Sequence, residues 1–229
     1  IKALRPELAA TLGADRFQRE ILIAANLTHP HILPLLDSGT AEEQPSARPP
    51  DRPSAFLYYV MPLVEGRSLR DKLNRDKQLT VDDALRITSQ VASALSYAHA
   101  HDIVHRDIKP SNLLLDTGGV VWVADFGLAK FRDDGHTRTG DIVGTLRYMA
   151  PEQAGGHSDR ASRQSDVYAL GAILFACITG RPPIVADTVM QTLVQVVHEP
   201  APPVRSLRPD APIDLETIIA KCLEKKPGK

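Results

Sequence analysis

The chain of 229 residues has little cysteine, few aromatic residues and no excess of charge of either sign. Its two cysteines, Cys177 and Cys222, lie in apolar stretches of helical periodicity and lack metal-ligand spacing, so we interpret them as buried thiols in a reducing compartment. Lys and Arg number 27 against 28 Asp and Glu, which argues against a nucleic-acid or membrane-surface binder. The longest apolar run, Val167 to Ile178, is too short to span a bilayer and predicts a buried core helix.

The chain also lacks a secretory signal at its start, and its first residue is Ile1 rather than Met. We therefore expect a piece of a longer protein. Hydrophobic residues make up 43% of the sequence, which is ordinary for globular proteins and argues against disorder. The length suits one large domain or two small lobes.

The N-terminal part of the chain is predicted to contain several strands and one helix. Residues 1–4 resemble the end of a strand, residues 31–36 a short strand, and Phe56 to Met61 an apolar, aromatic strand. Residues 14–27 have the periodicity of a helix. Residues 38–54 are rich in Ser, Pro, Arg and Glu, and we expect a flexible insertion there.

The remainder of the chain is predicted to be mostly helical. Residues 62–66 interrupt the strand pattern, as a connector between two lobes would. Thr80 followed by Asp83 resembles a capping box at the start of a helix. Apolar runs on both sides of residues 116–119 predict a β-hairpin. Further helices are predicted at residues 165–179, 187–198 and 212–224.

The stretch His105–Asn112, followed at a short distance by Asp125-Phe126-Gly127, is the most informative part of the sequence. It places two oxygen donors suited to a hard cation, Asn112 and Asp125, near one candidate base, Asp107. A Lys and an Arg belong to the same loop. This combination is typical of phosphoryl transfer from Mg-ATP.

Further motifs follow in order, namely Gly144-Thr145 and Ala150-Pro151-Glu152. With them the chain resembles, from Ile1 to Lys229, the catalytic domain of bacterial, eukaryotic-like (Hanks-type) Ser/Thr protein kinases. The resemblance implies a two-lobed α+β fold. A small β-rich lobe with the hinge would occupy residues 1–66, and a larger helical lobe residues 67–229.

In such kinases Asp107 would be the catalytic base that orients and accepts the proton of the substrate hydroxyl. Lys109 would contact the transferred phosphate and stabilise its developing charge. Asn112 and Asp125 would be the metal ligands. The alternatives are a solvated loop Asp, a surface Lys, and turn or cap residues, and none of them explains the whole set.

The resemblance also assigns a pair of residues to the nucleotide phosphates. Lys2 would contact the α- and β-phosphates, and Glu20, in the predicted helix, would pair with Lys2 to hold the active state. A frayed terminus and a solvated helix residue are the alternatives.

The adenine ring would lie against the connector between the lobes. Met61 fits the gatekeeper position, and Pro62 and Val64 would bind adenine through a backbone carbonyl and a backbone N–H. Leu114 would pack under the ring. Ordinary core packing is the alternative for each of them.

Two supporting features are implied as well. Asp166 resembles the buried Asp that braces the backbone of the catalytic loop. A column formed by Ala24, Leu35, His105 and Phe126 would assemble in the active state, and ordinary core packing is again the alternative.

Regulation is implied by Arg106, which in the family pairs with a phosphorylated activation loop. Thr137 and Thr139 are the candidate autophosphorylation sites, with a plain mobile loop as the alternative. Thr145 resembles the threonine that contacts the catalytic loop and shapes the substrate site.

The chain departs from the family at both ends. It lacks the two Gly-rich strands that cover the ATP phosphates, and it stops before the last helix of the domain. We therefore expect this fragment alone to bind ATP poorly and to have little activity.

The expected reaction is transfer of the γ-phosphoryl group of ATP, with Mg²⁺ or Mn²⁺, to Ser or Thr hydroxyls of protein substrates. Self-association for autophosphorylation in trans is expected, with no nucleic acid and no membrane contact within this segment. The expected location is the cytoplasm, either free or as the cytoplasmic domain of a membrane-anchored protein. A pseudokinase scaffold and a small-molecule phosphotransferase are the alternatives.

Overall fold

The computed structural model describes residues 1–3, 21, 24–42, 55–126, 144–156 and 161–226. A small antiparallel sheet with strand order β1-β3-β2 opens the chain. Its strands are β1 (Lys2–Ala3), β2 (Asp37–Glu42) and β3 (Ala55–Val60). The predicted strands at residues 1–4 and 56–61 are thereby confirmed, and Lys2 lies opposite Tyr59 in the register.

The prediction of a flexible insertion over residues 38–54 is wrong at its start. Residues 38–42 belong to β2, which pairs with β3 from Asp37↔Val60 to Glu42↔Ala55. The short strand predicted at residues 31–36 is also misplaced, since it is reduced to an isolated bridge at Ile32. Residues 38–42 are polar although they form a strand, because β2 lies at an edge of the described sheet, where polar residues are tolerated. Their composition therefore gave the wrong prediction. The rest of the predicted insertion, residues 43–54, lies outside the described residues.

A second antiparallel sheet, with order β4-β5-β6, follows the connector. It contains β4 (Gly66–Ser68), β5 (Leu113–Asp116) and β6 (Val121–Val123), and it confirms the predicted hairpin. Asp116 closes the hairpin turn by accepting hydrogen bonds from Trp122 Nε1 at 3.1 Å and from the Val120 N–H at 2.9 Å. These bonds, the Trp122 bond foremost, lower the pKa of Asp116 below its ordinary value.

Beyond the connector the described chain is mostly helical. Its α-helices are α1 (Leu69–Asp76), α2 (Val81–Ala100), α3 (Pro151–Ala154), α4 (Arg163–Thr179), α5 (Val189–His198) and α6 (Ile213–Cys222), with 3₁₀ turns at Pro110–Asn112 and Val204–Ser206. The last three α-helices lie where the sequence predicts them, with ends that differ by at most two residues. No described helix is both long and apolar enough to cross a membrane.

The helix starts are fixed by side-chain caps. Ser68 caps α1 with a full capping box, because its hydroxyl accepts from the Asp71 N–H while the Asp71 carboxylate accepts from the Ser68 N–H. Thr80 caps α2 by accepting from the Asp83 N–H at 3.1 Å. The Asp83 carboxylate instead accepts from Arg86 at 3.1 Å, so only half of the capping box predicted there forms.

Helix α4 forms the centre of the core and packs against both α2 and α6. It contains the apolar run from Val167 to Ile178, and most of those side chains are buried, as the sequence predicts. Gly171 allows the close approach of α6, since a Cβ at this position would lie 2.4 Å from the Cβ of Cys222. This packing anchors the segment of α4 from which Asp166 reaches the catalytic loop.

Candidate active site

Asp166 holds the backbone of the loop between α2 and the 3₁₀ turn at Pro110–Asn112. Its carboxylate accepts from the His105 N–H at 2.9 Å and from the Arg106 N–H at 2.8 Å. A third contact, 2.8 Å long, joins it to His99 Nε2. Asp166 is only 1% exposed, so these partners replace the water that its charge would otherwise require. The predicted bracing role of Asp166 is confirmed.

The predicted catalytic residues Asp107 and Lys109 lie in this loop together with Asn112, a predicted metal ligand. Lys109 Nζ lies 2.9 Å from Asp107 Oδ1. Asn112 Nδ2 donates to Asp107 Oδ2 at 2.9 Å and to the Asp107 carbonyl at 2.8 Å. The carboxylate is therefore fixed through both oxygens. Lys109 also reaches Thr145 Oγ1 at 3.4 Å, which brings the predicted Thr145 to the catalytic loop.

Asp125 follows β6, and the N–H of the preceding Ala124 donates to the Asn112 carbonyl at 2.9 Å. Oδ2 of Asp125 forms an ion pair with Lys2, and its Oδ1 accepts from the Tyr59 hydroxyl at 2.8 Å. The Asp125 side chain is 9% exposed and that of Lys2 is 44% exposed. The strand β1 thus delivers Lys2 to the same carboxylate that the sequence predicts as a metal ligand.

Arg106 and Asp125 share an unusual backbone conformation. Their φ angles are 69° and 66°, in the left-handed region that residues with a side chain seldom adopt. For Arg106 the surroundings enforce it, because its N–H is bound by Asp166 and its carbonyl accepts from Gln153 Nε2 at 2.9 Å. Such strain persists where the neighbouring structure determines it and is common at functional sites.

The Arg106 guanidinium has hydrogen-bonding capacity to spare. Its Nε is buried and, among the described residues, has no hydrogen-bond partner. A buried donor left in this way costs free energy, which an anionic partner would recover.

Two of the four residues of the predicted column, His105 and Phe126, are in direct contact, and the column as a whole stays a prediction. The rings of His105 and Phe126 meet edge to face with centroids 4.6 Å apart. His105 Nε2 also contacts the Ala124 carbonyl at 2.9 Å. Ala24 and Phe126 both belong to the described hydrophobic core, and Leu35 is partly buried and packs against that core.

The predicted adenine-binding residues occupy the connector and β5. Met61, Pro62 and Val64 follow β3 in irregular backbone and are partly buried, whereas Leu63 is 90% exposed. Leu114 lies in β5, opposite Ser68 on one side and Trp122 on the other. Their assignment to adenine stays a prediction.

The structure does not describe three of the predicted site residues. Glu20, Thr137 and Thr139 lie outside the described residues. The pairing of Lys2 with Glu20 therefore stays a prediction, and the described partner of Lys2 is Asp125.

The sequence analysis did not predict three residues that form hydrogen bonds to the site, namely Tyr59, His99 and Gln153. Tyr59 is 3% exposed. Its signal in the sequence is a tyrosine within an apolar strand, because a buried phenol needs a hydrogen-bond partner. His99 and Gln153 act on groups 67 and 47 positions away in the chain, and no local pattern reveals such contacts.

The arrangement can hold a hydroxyl and an anion side by side. A fixed carboxylate, Asp107, can accept a proton, while the adjacent ammonium of Lys109 can stabilise negative charge on the group that is attacked. Among the described residues no cluster of three or more His, Cys, Asp or Glu side chains is placed to bind a metal. Any divalent cation here would depend on Asp125, on the amide oxygen of Asn112 and on oxygens of a bound ligand.

The chain is similar to several bacterial kinases. It is 37% identical over 227 residues to the probable serine/threonine-protein kinase PknB of Lactococcus lactis, covering 98% of this chain and 34% of that protein. It is 35% identical over 230 residues to the serine/threonine-protein kinase PknB of Mycobacterium leprae, covering 99% of this chain and 35% of that protein. With PknD of Mycobacterium tuberculosis the identity is 38% over 216 residues, covering 93% and 30%.

The chain thus spans about a third of the length of these curated relatives. The family model described as protein kinase domain matches residues 1–229. Together with the fold and with the catalytic loop braced by Asp166, this match establishes that the chain belongs to the protein kinase domain family.

Proposed function

We propose that the chain is the catalytic part of a Ser/Thr protein kinase, which transfers the γ-phosphoryl group of ATP to Ser or Thr hydroxyls of proteins. The observation that carries the proposal is the carboxylate of Asp107, held by Lys109 and Asn112 through one oxygen each. Such a carboxylate is oriented to accept a hydroxyl proton, with a cation beside the group that is transferred. The names of the relatives, all serine/threonine-protein kinases, support the same reaction.

The residues fit a nucleotide with a divalent cation. Asn112 uses its Nδ2 as donor to Asp107, so its Oδ1 is the atom left to bind a hard cation. Asp125 supplies a carboxylate, and Lys2 supplies an ammonium for the phosphates. When bound, Mg²⁺ or Mn²⁺ would neutralise phosphate charge. Adenine would lie against Met61, Pro62, Val64 and Leu114.

Activation by phosphorylation is part of the proposal. The buried, unpartnered Nε of Arg106 supports an anionic partner such as a phosphate on Thr137 or Thr139. Peptide mapping of the active enzyme tests this step. If both threonines were unmodified in active protein, the step would be wrong.

Self-association for phosphorylation in trans and a cytoplasmic location complete the proposal. The location is supported by the free thiols of Cys177 and Cys222. Burial raises the pKa of the Cys177 thiol to about 12, so it stays protonated and unreactive at neutral pH. The division into lobes at residues 66 and 67 stays a prediction.

The test is the intact mass of the full natural protein after incubation with Mg-ATP, beside its Asp107→Asn and Asp210→Asn variants. Asp210→Asn is the matched control, because that carboxylate is 75% exposed. We expect phosphate to be gained by the native protein and by the control, and not by Asp107→Asn. Equal phosphate on all three would refute the role of Asp107. Nucleotide binding without phosphate transfer in the native protein would favour the scaffold alternative.

A further inference from the structure

A cavity of about 310 Å³ opens beside the catalytic loop, on the side of Lys109 and Thr145. It extends away from Asp107 towards the ends of α1 and α4. Its lining contains five cationic side chains, contributed by Arg70, Lys77, Lys109, Arg147 and Arg181. We call this space the basic cleft.

The basic cleft differs in charge from the rest of the chain. None of the described residues that line it is Asp or Glu, although the whole chain has a net charge of -1. The nearby acids on α1 have other partners. Asp71 belongs to the cap of Ser68, and Asp76 is paired with Lys72 and Arg75. Lys109 is itself paired with Asp107, so the positive local potential comes from the other cations of the lining, and it adjoins the place where the acceptor hydroxyl would lie.

The part of the cleft formed by the C-terminal ends of α1 and α4 is fixed by backbone contacts. Lys77 ends α1 with φ 63°, and Gly180 ends α4 with φ 76°. The two ends touch, since a Cβ on Gly180 would lie 3.2 Å from the Lys77 carbonyl oxygen. Arg208 joins the two segments by donating to the carbonyl of Leu79, beyond α1, at 2.7 Å and to that of Ile178, in the last turn of α4, at 3.2 Å. Lys77 and Arg181 are thus held next to each other by backbone contacts.

Arg147 lines another side of the basic cleft. One of its terminal nitrogens donates to the Ala186 carbonyl at 3.4 Å, a long contact. Its Nε is buried and, within the described part of the chain, has no hydrogen-bond partner. An anion in the cleft would satisfy this donor.

A more ordinary explanation of the cluster is that cations stabilise the C-terminal ends of helices. It suits Lys77 and Arg181, which follow α1 and α4. It does not suit Arg70, which lies in the first turn of α1, where a cation is unfavourable. It does not suit Arg147 either, because Arg147 does not follow the end of a helix of two turns or more, whereas Lys109 is explained by its pairing with Asp107. The buried, unpartnered Nε of Arg147, with Lys77 and Arg181 around the same space, is better explained by an anionic ligand.

We propose that the basic cleft binds an anionic side chain of the protein substrate, close in sequence to the Ser or Thr that is phosphorylated. This inference rests on the proposed kinase function and names a substrate preference of the same site. The ligand chemistry is a carboxylate of Asp or Glu, or a phosphate already on the substrate. Arginine suits both, because its planar group binds two oxygens at once.

The test uses peptides with one Thr acceptor, in which single flanking positions on either side carry Ala, Glu, Lys or phosphoserine. The ratio of kcat/KM for each charged peptide to that for the Ala peptide is measured within each enzyme. For the native full protein we expect the Glu or phosphoserine ratio to reach about tenfold at one or more positions, and to fall as salt is raised. A higher ratio for phosphoserine than for Glu would identify phosphate as the preferred source.

The variant Lys77→Glu with Arg181→Glu should reverse the preference, so that the Lys peptide becomes better than the Glu peptide. Arg205→Glu is the matched control, since Arg205 is exposed and lies outside the cleft, and it should keep the native ratios. Thermal unfolding checks that the double variant folds, and Arg181→Gln, with an expected loss of about fivefold in the ratio, serves if it does not.

Two failures are distinguishable. If the Ala peptide and every other peptide stay unmodified in the native protein, the proposed kinase function is wrong. If the Ala peptide is phosphorylated but the Glu and phosphoserine ratios stay near one, the basic cleft does not bind an anionic side chain and this inference is overturned. Equal loss of preference in the Arg205→Glu control would also contradict it, because the effect would then come from net charge.

Discussion

Replacement of Asp166 by Asn should show how strongly one buried carboxylate supports the catalytic loop. The two side chains have almost the same shape, but the amide offers one oxygen and one NH₂ where the carboxylate offers two acceptors. In the native structure Oδ1 accepts from the Arg106 N–H, and Oδ2 accepts from the His105 N–H and contacts His99. Whichever way the amide is turned, at least one backbone N–H of the loop then faces another donor.

The expected cost follows from these contacts. Loss of one charge-assisted hydrogen bond costs about 1.5–3 kcal/mol, and a buried N–H without an acceptor adds about 1–3 kcal/mol. Removal of a buried charge offsets part of this. We therefore expect Asp166→Asn to lower the free energy of unfolding by about 3 kcal/mol, which for a domain of this size lowers Tm by about 6–12 °C.

Activity should fall further than stability alone explains. Without its acceptor the Arg106 backbone can leave its left-handed conformation, and the neighbouring Asp107 would lose its position. Denaturant unfolding with an unchanged m value measures the stability, and kcat at a temperature where the variant is folded measures the position of Asp107. Asp210→Asn is the exposed control and should change the free energy of unfolding by less than about 0.5 kcal/mol. If Asp166→Asn matched this control in both stability and kcat, the bracing role of Asp166 would be refuted.

Three further variants test the packing, a cap and a buried thiol. Gly66→Ala should cost about 3 kcal/mol by chemical denaturation, because its Cβ would lie 1.9 Å from the Leu115 carbonyl oxygen, and a loss below about 1 kcal/mol would contradict the tight strand pairing. Ser68→Ala should cost about 1 kcal/mol, because the Asp71 N–H loses its cap, and an unchanged free energy of unfolding would show that water replaces it. The pKa of Cys177 is about 12 in the folded protein and 9.0 in the unfolded chain, so unfolding should release a proton above pH 9. The difference in the free energy of unfolding between the native protein and Cys177→Ala should therefore shrink by about 1 kcal/mol from pH 9 to 10. A pH-independent difference would show that the thiol is not buried.

The contiguous parts of the site could be predicted from the sequence. Asp107, Lys109 and Asn112 lie within one short loop, so their order in the chain almost dictates their proximity in space. Asp125 could be predicted because it opens the motif Asp125-Phe126-Gly127, which follows the catalytic loop at a short distance in the chain. Helix α4 could be predicted because its apolar run is long enough to exclude most alternatives.

The remaining features depend on pairings between distant segments. Strand β2 has a polar sequence with a glycine, and only its pairing with β3 makes it a strand. Gly39 lies opposite Tyr58, where a Cβ would be 2.8 Å from the tyrosine hydroxyl oxygen, so the glycine is explained by the neighbouring strand rather than by its own segment. The hydrogen bond from Tyr59 to Asp125 and the basic cleft depend likewise on tertiary structure that no local pattern encodes.

The ion pair between Lys2 and Asp125 has a thermodynamic consequence for the proposed nucleotide site. A nucleotide that arrived alone would draw Lys2 to its phosphates and leave a nearly buried carboxylate facing them, while a cation that arrived alone would draw Asp125 away from the ammonium. When both arrive, each member of the pair gains a new counterion. At the proposed site the affinities for cation and nucleotide would therefore be coupled, and by linkage each would raise the other by the same factor. In this way a single pair of side chains would make the site bind the metal–nucleotide complex in preference to either the cation or the nucleotide alone.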